Sequence, residues 1–201
     1  MKKANIILLC LLLLFLTACS VLENSNNSMQ LGENNSDEKR LIDSGDYFKL
    51  YDNTLSEIYE IYNSQGELVR TETTDDPISI TMLNESVLDI SIGKGTGITQ
   101  HTYYDAERNV FSDEFSYVIC TDGELVAYIG LSEDKVNNKT LIVEDIFNKE
   151  IYYKEFKGAF DEVDTYELSS VGGEFSEDFS KLTVRYYQRN QQNQISKDFK
   201  L

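Results

Sequence analysis

Cationic residues are scarce in this sequence: 18 Lys and Arg stand against 35 Asp and Glu in 201 residues, a formal net charge of −17. A surface so acidic repels nucleic acid and anionic polymers, and attracts basic protein faces, cationic peptides or divalent ions. Nucleic acid is therefore excluded as a partner. Histidine occurs once, at His101, so any histidine-based nucleophile system would have to use it. No GxSxG, HExxH or CxxC is present. Tryptophan is absent, which counts against a platform for stacking sugars. Proline occurs once, at Pro77, a position expected to start a strand.

Long apolar stretches are equally rare, and the single one lies at the start. Lys2 and Lys3 precede an unbroken apolar run from Ile6 to Leu16, followed by Thr17, Ala18 and Cys19. A positive start, a short apolar stretch and small residues before a boundary form a three-part secretory signal. The run is too short for a mature spanning helix, which needs about 20 residues. Leu16-Thr17-Ala18-Cys19 in this context resembles the lipobox of a bacterial lipoprotein precursor. That resemblance implies a diacylglycerol on the Cys19 sulfur and cleavage before it by signal peptidase II. An ordinary cleavable signal or a short membrane anchor is the alternative. Two or more acyl chains give stable anchoring where one binds only marginally.

Removing residues 1 to 18 would take away two lysines and no acid, leaving 16 basic against 35 acidic residues, a net of −19. It would also remove Cys10. With Cys19 lipidated, Cys120 alone would remain and no internal disulfide could form. Cys120 ends the strand-like run Phe115-Ser116-Tyr117-Val118-Ile119-Cys120 and reads as a buried, inert thiol.

Residues 19–45 are rich in Asn and Ser, without periodicity, and read as the lipidated cysteine followed by a flexible linker. Random-coil scaling gives it a reach on the order of 30 Å. Residues 46–201 are long enough for one domain with its own core. Their texture is β. Leu88, Ile90 and Ile92 alternate with more polar neighbours, as do Leu182, Val184 and Tyr186. Leu125 to Leu131 and Leu141 to Phe147 are denser runs suited to central strands. Turn signals fall at Asn63–Gly66, Gly93–Gly97, Thr121–Gly123 and Asn137–Lys139. Leu55, Ile58, Tyr59 and Tyr62 fit either a strand or one face of a short helix.

Tyrosine pairs recur at Tyr103-Tyr104, Tyr152-Tyr153 and Tyr186-Tyr187, separated by 49 and 34 residues. Turn-then-strand segments at Asp122–Tyr128 and Glu177–Val184, with Ile142–Glu150, resemble parts of β-propeller blades. The expected fold is all-β, an antiparallel meander of hairpins packed as a sandwich or an open, propeller-like arc. A small closed β-propeller is the alternative, although about four blades of ~40 residues are needed for one.

Chemical signals are few. Gly93-Lys94-Gly95-Thr96-Gly97 lacks the GxxxxGK[ST] spacing and precedes a strand, so it reads as a hairpin turn. Asp161, Glu162 and Asp164 lack the spacing of a calcium loop and read as solvated charge, so no metal or other cofactor is expected. Strand alternation would send one ring of each tyrosine pair outward. Tyr104, Tyr153 and Tyr187 are therefore the residues expected to contact a ligand or partner. No catalytic residue is expected.

The Asn-, Lys-, Ile- and Tyr-rich texture resembles lipoproteins of low-GC Gram-positive bacteria. In such a host the domain would sit on the extracytoplasmic face of the cell membrane, held there through Cys19. In a Gram-negative host, Ser20 after Cys19 would imply the outer membrane. The expectation is a non-catalytic binding module for an envelope protein or cationic partner. The alternatives are a small-ligand- or metal-binding lipoprotein and a carboxylate-dependent envelope hydrolase.

Overall fold

The computed structural model describes residues 39–201 apart from Thr96, 132–138 and 189–192. Cys19 and its signal lie outside the described residues. The first sheet is a meander of β1 (Arg40–Gly45), β2 (Phe48–Asn53), β3 (Ser56–Tyr62) and β4 (Leu68–Thr74). The second contains β5 (Ile78–Met82), β6 (Val87–Gly93), β7 (Thr99–Asp105) and β8 (Val110–Ser116). The third contains β9 (Val118–Thr121), β10 (Leu125–Leu131), β11 (Lys139–Asp145) and β12 (Tyr153–Phe156). The fourth has three strands, β13 (Gly172–Phe175), β14 (Lys181–Tyr187) and β15 (Gln194–Lys200). Every described strand pair is antiparallel and joins neighbours in sequence. Apart from a short 3-10 helix, Thr165–Ser170, the described residues contain no helix. The fold is thus the all-β meander of hairpins expected from the sequence.

Three apolar seams hold the sheets together. Phe48, Leu50, Tyr59 and Ile61 of the first sheet pack against Ile80, Leu88, Ile90 and Tyr104 of the second. Val87, Tyr103 and Phe115, from the opposite face of the second sheet, meet Val126 and Ile146 of the third. Ala127, Ile129, Leu141 and Val143 then pack across Phe160, Val163 and Leu168 onto Leu182, Val184 and Phe199 of the fourth. Burying one such large apolar side chain is worth roughly 1.5–3 kcal/mol. The seams run in series, first sheet to second, second to third, third to fourth. No cluster among the described residues joins the fourth sheet back to the first. The arrangement is an open stack of antiparallel sheets.

Period-2 alternation accounts for the seams. Leu88 and Ile90 on β6 point one way and Val87 the other, so β6 is buried on both faces. The ambiguous segment around Leu55 is resolved as strand β3, with Leu55 itself 88% exposed in the preceding turn. β5 begins immediately after Pro77, whose carbonyl accepts the Gly93 N–H at 2.8 Å. The step from β8 to β9 takes one residue, Tyr117, held at φ 54°. An aromatic residue in that region stores about 1–3 kcal/mol of strain. The strain lets the chain change sheets without a loop.

One boundary differs from the sequence reading. Arg40–Gly45, assigned there to the end of the linker, forms strand β1 and pairs with β2 from Arg40↔Asp52 to Gly45↔Phe48. All six residues are exposed, so β1 is held by its backbone ladder and an Arg40–Asp52 ion pair at 2.8 Å. It buries no apolar face and therefore leaves no apolar periodicity to read.

Candidate functional site

The second and third sheets part at one edge into a cleft of about 240 Å³. Its deepest charged group is Glu144 on β11, only 6% exposed. Val126 pairs with Glu144 across the ladder and faces the second sheet, so Glu144 faces that sheet too. The Tyr128 hydroxyl donates to Glu144 Oε2 at 3.4 Å, and Oε1 takes no hydrogen bond among the described residues. Burial pushes the Glu144 carboxyl above its usual range, and the neighbouring Asp113 charge adds to that, against the Tyr128 hydrogen bond and Lys149. Buried, perturbed carboxylates that open on a cleft mark candidate sites.

Local irregularity shapes the rim. On β8, Ser112 and Asp113 together oppose Tyr103 alone, a β-bulge that brings Asp113 to the cleft. The Tyr103 N–H is taken up by Ser112 Oγ at 2.9 Å. Asp145 accepts the N–H groups of Phe147 and Asn148 through Oδ1, which fixes the turn after β11. Phe147 is capped by the Arg108 guanidinium, 4.5 Å from the ring centre. Phe111, on the opposite wall, lies beneath Arg70 at 3.4 Å.

The three tyrosines expected to face outward lie in different places. Tyr104 has no exposed surface: it fills the first seam, 4.4 Å from the Phe111 ring centre, and its hydroxyl donates to Asn109. The alternation argument fails there because the second sheet is packed on both faces, which buries Tyr103 as well. Tyr153 is 48% exposed and pairs with Glu144 across β11 and β12, on the same face as the cleft. Its hydroxyl donates to Glu155, which raises its pKa to about 12, with burial and the Glu155 charge adding to the effect. Tyr187 is exposed at the end of β14, on the face away from the third seam. The three form no common strip.

The other sequence candidates are accounted for locally. His101 Nδ1 lies 3.0 Å from Asp89 Oδ1, and the ring stacks on Tyr103. Burial, then the Asp122 and Glu174 charges, raise the Cys120 thiol to about 12, far from a reactive thiolate. Gly95, at φ 71°, turns the chain from β6 to β7, and the Lys94 N–H donates to the Ile98 carbonyl. Asp161 accepts from the Lys139 backbone at 3.4 Å, and Glu162 accepts from Gln188. No group of three or more His, Cys, Asp or Glu converges on a metal position among the described residues.

The Tyr103 hydroxyl is buried without a hydrogen-bond partner among the described residues. Tyr103→Phe is therefore expected to leave stability unchanged or raise it by about 1 kcal/mol, measured by urea denaturation. A loss of that size instead would show that the hydroxyl is satisfied in solution.

Glu144 was the residue missed in sequence. Its signal is an acid inside the apolar run Leu141–Phe147, where solvated charge has no reason to be. No protein-family model matches the chain, and no curated protein matches it.

Proposed function

We propose that this protein is an extracytoplasmic lipoprotein, anchored to the membrane through Cys19, whose β domain is a non-catalytic binding module. The observation that carries this reading is the order of parts at the start: Lys2-Lys3, the apolar run to Leu16, then Thr17-Ala18-Cys19. The acidic surface suits a basic envelope protein or other cationic partner and repels nucleic acid. The texture of the chain supports a low-GC Gram-positive host, and hence the outer face of the cell membrane. In a Gram-negative host the same signal leads to the outer membrane.

The anchoring is tested by expressing the full chain and measuring the mass of its N-terminal peptide. The expected species begins at Cys19 and carries the mass of a diacylglycerol. Cys19→Ala is expected to accumulate as an uncut, unacylated precursor. A wild-type chain that is unacylated, or cut elsewhere, overturns the reading. Crosslinking in the native envelope then identifies what the domain touches.

The cleft at Glu144 favours a second reading, a small-ligand-binding lipoprotein. The hydrolase reading is tested in this cleft at Glu144 and Asp113, where turnover lost on neutralising either one would favour it.

A further inference from the structure

We propose that Leu55, at the tip of the β2–β3 turn, dips into the lipid surface that holds the chain and makes the domain stand on that corner. The inference rests on the anchoring through Cys19 and goes beyond it by fixing which end of the domain meets the membrane. Leu55 is 88% exposed, more than any other large apolar side chain among the described residues. The turn that presents it has two residues, and Thr54, the first, is held at φ 60°. Glycine is the residue favoured there, and a β-branched side chain in that region is strained. Neither solvation nor backbone preference accounts for Thr54-Leu55 at this position, whereas an apolar contact outside the domain does.

The occupant follows from where the tether joins. The described chain begins at Lys39, and Lys39 and Arg40 share a cavity with Asp52 and Thr54, beside the tip. Lys39 lies 39 − 19 = 20 residues after Cys19, a length that spans at most about 70 Å. Of the domain's corners, this one needs the least tether to touch the bilayer. Charge agrees with that placement. In a chain with 35 acids against 18 cations, three cations around the tip, Lys39, Arg40 and Lys94, stand against four acids. Arg40 pairs with Asp52 at 2.8 Å and Lys94 with Asp76 at 3.3 Å, and Glu57 Oε2 accepts the Ile78 N–H at 3.0 Å. The corner is close to neutral, and its cations can reach lipid phosphates while Leu55 enters the acyl boundary. One leucine is too little to bind a membrane from solution, but on a tethered domain it acts at high effective concentration.

The chain has no tryptophan, so Leu55→Trp places a single indole at the tip. Ile151→Trp places one in the β11–β12 turn, where Ile151 is 69% exposed. That turn lies at the opposite end of the domain. β5 runs from Pro77, beside Leu55, to the turn holding Asn84, which meets Gly123 just before β10, and β10 begins opposite the end of β11. Both lipidated full-length variants are reconstituted in phosphatidylcholine vesicles with brominated acyl chains. Leu55→Trp is expected to lose about half its emission to the bromines, and Ile151→Trp almost none. Equal quenching of the two, or quenching of neither, overturns the inference. Leu55→Trp shielded in native envelopes yet unquenched in vesicles also overturns it, and points to a protein partner instead. The N-terminal mass of the same sample reports on the anchoring separately. With the diacylglycerol present, absent quenching removes this inference alone; without the diacylglycerol, both readings fall.

Discussion

Phe160→Ala is expected to cost about 3–5 kcal/mol of stability and to loosen the fourth sheet before the others. Phe160 lies in no strand, yet it has no exposed surface and meets the Tyr186 ring edge-on at 5.6 Å. It sits in the apolar cluster that joins the third sheet to the fourth, with Val163 and Leu168 from the same connecting segment. Removing the ring leaves a cavity in the seam that holds β13, β14 and β15. Urea denaturation gives the loss, and amide exchange gives its location. A loss under about 1 kcal/mol would mean that the segment can close over the gap.

Leu88→Ala is the matching expectation at the other end of the stack, with a cost of about 2–5 kcal/mol. Leu88 is fully buried among Leu50, Ile61 and Tyr104, in the cluster that joins the first sheet to the second. Because the seams run in series, exchange should accelerate first in β2 and β3 and only later in β14. The two variants thus make opposite footprints. Identical footprints over all four sheets would show that the stack melts as one unit.

The dense run Leu125–Leu131 could be read from the chain residue for residue, because a strand buried on both faces needs no alternation to declare itself. The alternation of Leu182, Val184 and Tyr186 was equally plain, since the fourth sheet is packed on one face only. Three other features were hidden for physical reasons. β1 buries nothing, so only its ladder to β2 defines it. Tyr104 obeys alternation but faces the first seam while Tyr103 faces another, and a sequence does not say whether a sheet is covered once or twice. The segment holding Phe160 packs as core without regular structure, so no period betrays it. The cleft itself depends on two strands far apart in sequence, β8 and β11, and on a bulge at Ser112 and Asp113 that moves one acid to its rim.

Among the described residues, pairing between consecutive strands alone has a kinetic consequence. Every hydrogen-bonded ladder closes a short loop, so contact order is low for an all-β chain and folding should be fast for its class. Each sheet can form as soon as its own residues are available, and each finished sheet offers an apolar face on which the next can condense. A chain delivered end first, residue by residue, never has to wait for a distant strand to complete a sheet already begun. Such an order of assembly keeps unpaired edges short-lived, which is the main protection a stack of sheets has against sticking to its neighbours.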